Sequence, residues 1–181
     1  MTEMNGKQRK VVIFCSASDK IDPKYNVAAR ELVRGLCSKG YTIVSGGTVK
    51  GTMGVVSDEV AKVGGRHIGV LPRFMASVEH PSLSEVLYTG TMSERKALMR
   101  EGAVAAIALP GGIGTLDELV ETHVLSKLGI FHGKIFALDV DGFYTPLRTL
   151  LDHYTETQML EKVDREMILF PSSVEQLLRE L

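Results

Sequence analysis

Apolar and polar positions along the chain alternate on two length scales. Short, near-continuous apolar runs occur at KVVIFC (10–15), YTIVS (41–45), HIGVL (67–71), VLY (86–88), VAAIAL (104–109), KIFALDV (134–140) and MILF (167–170). Longer amphipathic stretches lie over 24–39, 53–63, 93–101, 115–128, 144–153 and 172–180. The short runs predict strands, and their lack of a polar alternate face predicts a parallel sheet covered by helices on both sides. End signals mark several helices. Ser38-Lys39-Gly40 closes the first, Tyr144-Thr145-Pro146 opens another with proline where it costs no hydrogen bond, and Pro171-Ser172-Ser173 opens the last. The expectation is an α/β fold, one doubly wound, mostly parallel sheet of about seven strands with right-handed crossovers. No low-complexity linker divides the chain, so residues 1–181 are expected to form a single domain, with 1–9 a flexible N-terminal extension. Ligands of such sheets bind outside the carboxyl ends of the strands.

Composition narrows the classes. A chain of 181 residues that is 44% hydrophobic is long enough to bury one sizeable core. Its formal net charge of -1, with no long run of one sign, gives no footprint for nucleic acid or an anionic membrane, and KQRK near the start is too short to change that. No apolar stretch is long enough to span a bilayer, and MTEMNGKQRK lacks the apolar core of a signal peptide, so the expectation is a cytoplasmic protein. Cys15 and Cys37 read as small buried hydrophobes, and the five histidines lack ligand-type spacing, so no metal site is expected.

Candidate chemistry concentrates in three strand-to-helix turns: CSAS (15–18), SGGTVKGTMG (45–54) and PGGIGT (110–115). Small residues there let the backbone approach a ligand and leave unpaired amides at a helix start, which suits a phosphate. None ends as a Walker loop, and none has the dinucleotide spacing G-x-G-x-x-G. One such turn is ordinary; three on one sheet edge point to a site. Thr115 and Glu118 have the spacing of a capping box, which Thr91 and Glu94 repeat, and capping alone would give Glu118 no chemistry. Against capping alone, Asp117 and Glu118 crowd negative charge beside a turn suited to an anion. The preceding helix supplies Arg95 and Lys96 to offset it.

MSERK (92–96) followed by PGGIGTLDE (110–118) closely resembles the signature of the LOG family, the cytokinin riboside 5′-monophosphate phosphoribohydrolases once labelled lysine decarboxylases. The resemblance spans nearly the whole chain, through VIFCSAS, SGGTVKGTMG, IGVLPRFM and LGIFHGKIFALDVDGFYTPL. It implies a Rossmann-like fold, a homodimer or larger assembly, and hydrolysis of a nucleoside 5′-monophosphate to free base and ribose 5-phosphate. It places the family's catalytic arginine and glutamate on Arg95 and Glu118, and its phosphate-binding turn on Gly111, Gly112, Gly114 and Thr115. Ser16, Gly46, Gly47, Met92 and Lys96 are implied to line the nucleotide pocket. The chain departs from the usual pattern at Ser93, Leu125, Lys50 and Val104, where the family commonly has histidine, tryptophan, an apolar residue and aspartate.

Glycosidic cleavage develops positive charge on the ribose, which a fixed carboxylate stabilises. Glu118 is the candidate, either attacking the anomeric carbon or activating water, with Arg95 keeping it ionised and oriented or binding substrate oxygens. The phosphate would anchor the substrate on the amides of residues 112–115, so nucleosides without it are expected to be very poor substrates. The partner is then a small nucleotide, and the chemistry requires no metal or redox cofactor. The rival reading is a non-catalytic nucleotide or molybdenum-cofactor carrier. Decarboxylation would need pyridoxal phosphate on a lysine such as Lys96 or Lys127, and nothing in the sequence resembles a domain for that cofactor. Met53, Met75, Met92 and Met99 read as gap-fillers of core or interface, and His123 and His132 as packing or surface residues.

Overall fold

Each apolar run becomes a strand of one sheet in the computed structural model, which describes residues 9–181, so all but the last residue of the expected extension lies outside the described residues. The strands are β1 (Lys10–Phe14), β2 (Thr42–Ser45), β3 (His67–Pro72), β4 (Glu85–Thr89), β5 (Ala103–Ala108), β6 (Lys134–Ala137) and β7 (Ile168–Leu169). They pair throughout in parallel, in the order β4-β3-β2-β1-β5-β6-β7. The helices are α1 (Pro23–Ser38), α2 (Gly51–Lys62), α3 (Met92–Arg100), α4 (Ile113–Lys127), α5 (Thr145–Glu156), α6 (Lys162–Arg165) and α7 (Val174–Glu180). Short 3₁₀ turns cover Arg73–Val78 and Val140–Gly142.

The continuous apolar runs follow from the two cores they serve. On one face Val11, Ile13, Ile43, Ile107 and Phe136 pack with Leu32, Leu36, Val56 and Leu177 of α1, α2 and α7. The alternate residues Val12, Phe14, Val44, Val70 and Ala106 pack with Met99, Leu119 and Leu151 of α3, α4 and α5. A strand buried on both sides has no solvent face for polar residues, so its sequence is mainly apolar. Strand order runs outward in opposite directions from β1 and β5, which places a crevice at their carboxyl ends.

The boundaries differ from expectation where glycine intervenes. α2 and α4 begin at Gly51 and Ile113, two residues before the expected 53 and 115. Glycine's low helix propensity hides a start that tertiary contacts fix. The four-residue α6 and the two 3₁₀ turns are too short to show a period.

Candidate active site

The site begins with the entry to α3. Thr91 accepts from the Glu94 amide at 3.1 Å while the Glu94 carboxylate accepts from the Thr91 amide at 3.1 Å, a complete capping box. With the first turn so fixed, the next residue, Arg95, turns into the protein and is only 6% exposed. Its Nε donates to the Val70 carbonyl near the end of β3 (2.9 Å), and its Nη1 donates to Glu118 Oε1 (3.1 Å). Gly46 makes room for it, because a Cβ there would lie 2.2 Å from Arg95 Nη2 and 2.6 Å from Met53 Sδ.

The second expected capping box does not form. Gly112, not Thr115, is the N-cap of α4, so Thr115 sits inside the first turn with its side chain buried against Gly111. A Cβ on Gly111 would come 2.2 Å from Thr115 Oγ1. Glu118 is thereby released from backbone duty and faces Arg95. The first intrahelical bond runs from the Leu116 amide to the Gly112 carbonyl, which leaves the amides of Ile113, Gly114 and Thr115 at the head of the helix without helical acceptors. A Cβ on Gly112 or Gly114 would meet nothing within 4 Å, so a ligand can approach that backbone closely. The turn itself is held from behind by the Tyr144 hydroxyl, which donates to the Leu109 carbonyl at 2.7 Å.

The glycine turn before α2 is already occupied, while the serine turn 15–18 lines the same cleft. The Gly51 amide, at the start of α2, donates to Asp19 Oδ1 at 2.9 Å, so that helix terminus already holds a carboxylate. Gly51 has φ +52° and lies against the backbone of residues 16–18, which no side chain would allow. Of the three turns, the one before α4 combines an open surface with free amides.

A cleft of about 330 Å³ gathers the pieces. Arg95, Lys96, Asp117 and Glu118 supply its charge; Gly112, Gly114 and Thr115 its helix terminus; Ser16 and Met92 two further walls. Gly46, Gly47 and Gly111 do not line it: Gly46 lies against Arg95, and Gly111 lines an adjoining pocket with Gly112 and Ile113. The sequence reading did not assign Cys15, Met53 and Met75 to the cleft, although all three line it. Their only signal was position beside the strand ends, since a lone cysteine or methionine looks the same in a core. Met99 does belong to the core, His123 is buried with Nε2 2.7 Å from the Asp164 carbonyl, and His132 is exposed.

At Glu118, burial and the Arg95 charge act in opposite directions. Burial pushes the Glu118 carboxyl up, and Arg95 draws it only part of the way back, so it stays above the ordinary carboxylate value. Lys96 donates to Asp117 at 2.8 Å and lies 3.0 Å from Glu121. Burial works against its charge, but those two carboxylates outweigh it and hold the ammonium above its usual value. Burial also pushes the Cys15 thiol far up, so it stays neutral. Among the described residues no cluster of three or more His, Cys, Asp or Glu could hold a metal ion, and no helix is long and apolar enough to cross a membrane. A larger groove of about 930 Å³ on the far side of α3 holds Arg100 and Glu121 with Leu98, Leu125 and Ile130, but neither Arg95, Glu118 nor the glycine turn.

Residues 53–181 match the sequence family described as "Possible lysine decarboxylase". Over its whole length the chain is 36% identical to cytokinin riboside 5′-monophosphate phosphoribohydrolase LOG2 of Arabidopsis thaliana, covering 86% of that protein. It is also 36% identical, over 96% of its length and 83% of the relative, to the probable cytokinin riboside 5′-monophosphate phosphoribohydrolase LOGL3 of Oryza sativa subsp. japonica. Among solved structures, the molybdenum cofactor binding protein of Rippkaea orientalis superposes with a TM-score of 0.74 at 19% identity, covering 97% of this chain and 96% of that one. The molybdenum cofactor carrier protein of Chlamydomonas reinhardtii gives 0.74 at 18% identity, with 96% of each chain covered. At such identities the likeness is one of fold: a Rossmann-like α/β sheet.

Proposed function

Because the chain belongs to the LOG family of cytokinin riboside 5′-monophosphate phosphoribohydrolases, we propose that it hydrolyses the N-glycosidic bond of adenosine 5′-monophosphate-type nucleotides, N6-modified ones included. One observation carries this reading: a buried carboxylate, held 3.1 Å from a buried guanidinium, shares a cleft with an open helix N-terminus. The phosphate rests on the amides of Ile113, Gly114 and Thr115, where the helix dipole favours negative charge. Gly112 and Gly114 permit the close approach.

Anchoring the phosphate places the sugar against Glu118. The C1′–N bond breaks with its electron pair going to the base, and the oxygen of water bonds to C1′. One water proton stays on the new sugar hydroxyl and the other ends on the base. Ionised Glu118 stabilises the positive charge that develops on the ribose, acting as nucleophile or as base toward the water. Arg95 keeps it ionised and aimed. Lys96, bound by two carboxylates and kept charged, is unsuited to a Schiff base, which opposes the chemistry suggested by the decarboxylase label. The apolar side chains of Met53, Met75 and Met92 form the wall available to the base. We further propose that the chain self-associates through the stripe formed by Val120 and Val124 of α4 and Leu128 at its C-cap, which are 41%, 48% and 63% exposed and spaced one turn apart.

The test is to incubate the protein with AMP, N6-isopentenyl-AMP and adenosine, and to quantify released base. Base should appear from the nucleotides and scarcely from adenosine. Glu118→Gln should lower the rate at least about 10²-fold, the scale of losing one preorganised charge at a transition state. Nucleotide binding without release would favour the carrier reading, and release undiminished by the substitution would overturn the role of Glu118.

A further inference from the structure

Behind the cleft lies a polar pair that the hydrolysis does not itself use. Ser45, the last residue of β2, and His67, the first of β3, are 0% and 1% exposed, with Ser45 Oγ 2.8 Å from His67 Nε2. The same hydroxyl accepts from the Gly47 amide at 3.1 Å. His67 Nδ1 has no partner among the described residues. A core that keeps a polar ring with one orphaned nitrogen, where a leucine would bury no polar group, retains it for what the other nitrogen does.

The other nitrogen holds a turn. Gly47 stands at φ +65°, its carbonyl accepts from the His80 amide at 2.9 Å, and a Cβ on it would lie 2.7 Å from Gly69 Cα. The turn is therefore wedged against β3 below and tied to Ser45 on one side. Its preceding residue, Gly46, is the surface on which the Arg95 guanidinium lies. Among the described residues the Arg95 side chain has two hydrogen-bonded supports besides, the Val70 carbonyl and Glu118 itself. Resting on the phosphoribohydrolase reading above, we propose that Ser45 and His67 are positioning residues: they fix the Gly46–Gly47 turn that seats Arg95, and so set the aim of Glu118.

The pair is suited to that task across the working pH range. Burial, aided by the nearby His80, pushes His67 down to about 4, so its ring stays neutral and its bond to Ser45 does not depend on pH above that value. His80 is itself bound to Asp58 of α2 at 3.1 Å. The ionisable groups facing Glu118 are Arg95 and Lys96 of α3, Asp117 beside it on α4, and Cys15 at the end of β1. None of these is hydrogen-bonded to Ser45 or His67, so the two act on Glu118 through the turn and Arg95.

The test is the pH profile of nucleotide hydrolysis in Ser45→Ala, His67→Leu and His67→Gln. Freed from its turn, Arg95 would support the Glu118 carboxylate less, so the acid limb of kcat/KM should move to higher pH in Ser45→Ala and His67→Leu. The same two variants should lose about ten- to a hundredfold in kcat, with KM for the nucleotide nearly unchanged, as for a displaced catalytic group. The side-chain amide introduced by His67→Gln can still reach the Ser45 hydroxyl, so that variant should restore both the limb and the rate. Normalised at each pH to the folded fraction measured by circular dichroism, the limb remains readable in a partly folded variant, because loss of stability alone then leaves it in place. An active wild type whose limb stays in place in both Ser45→Ala and His67→Leu would overturn the inference. A wild type that releases no base from any nucleotide would instead overturn the reading on which it rests.

Discussion

Glu118 illustrates how the side chain proposed to act in the reaction can be costly to the fold. Its carboxyl is held above the ordinary value, chiefly by burial, so ionising it in the folded protein is harder than in the unfolded chain. For a group with a raised folded value the linkage runs one way: stability is fullest below the unfolded value near 4.5 and is lost as pH rises through the folded one. Glu118→Gln should therefore gain Tm relative to wild type at pH 7, with the advantage shrinking toward pH 4, a comparison that thermal melts at the two pH values would make. Activity should run the opposite way, falling on the acid side at a pH above the usual carboxylate range as Glu118 takes up its proton. Gly46 is the complementary case. Gly46→Ala would drive a methyl into Arg95 Nη2 and Met53, and kcat should fall by about 10²-fold while phosphate binding at α4 persists. The letters E-R-K and the final glutamate mark both members of the ion pair in the sequence. That Gly46 lies against the Arg95 guanidinium was not legible, because contact between residues 49 positions apart depends on how β2 meets α3.

At the scale of elements, the two T-x-x-E sequences behave differently although their patterns match. Thr91-x-x-Glu94 caps α3, because an extended Thr91 precedes the helix. Thr115-x-x-Glu118 lies one turn inside α4, because Gly112 takes the cap and glycines carry the chain into the helix. A local pattern cannot separate these cases, since the decision rests on where the strand delivers the chain. Thr91→Ala should cost about 1 kcal/mol of stability, measurable by denaturant titration, and should disturb the seating of Arg95. Gly114→Ala should do the reverse. The site is open and the residue is helical, so stability should hold or rise by about 0.5–1 kcal/mol, while KM for the nucleotide climbs as the methyl obstructs the phosphate.

For the whole molecule, the exposed stripe on α4 beside the apolar groove predicts association. Light scattering after gel filtration should find at least a dimer, and Val124→Glu, which sets a charge at the stripe's centre, should shift it toward monomer with little effect on the melting of the fold. Sequence by itself determined the alternation of seven strands with covering helices, because two-sided burial of the central strands leaves an unbroken apolar run that survives without knowledge of neighbours. It also marked Arg95, Glu118 and the glycine turn, because their chemistry is local to two short segments. Tertiary structure alone decided which of three similar turns keeps its amides free, since Asp19 fills one from 32 residues away. It alone brought Cys15, Met53 and Met75 to the cleft and His67 to the Ser45 hydroxyl that holds the Gly47 amide, because strand order, not chain order, sets which residues meet.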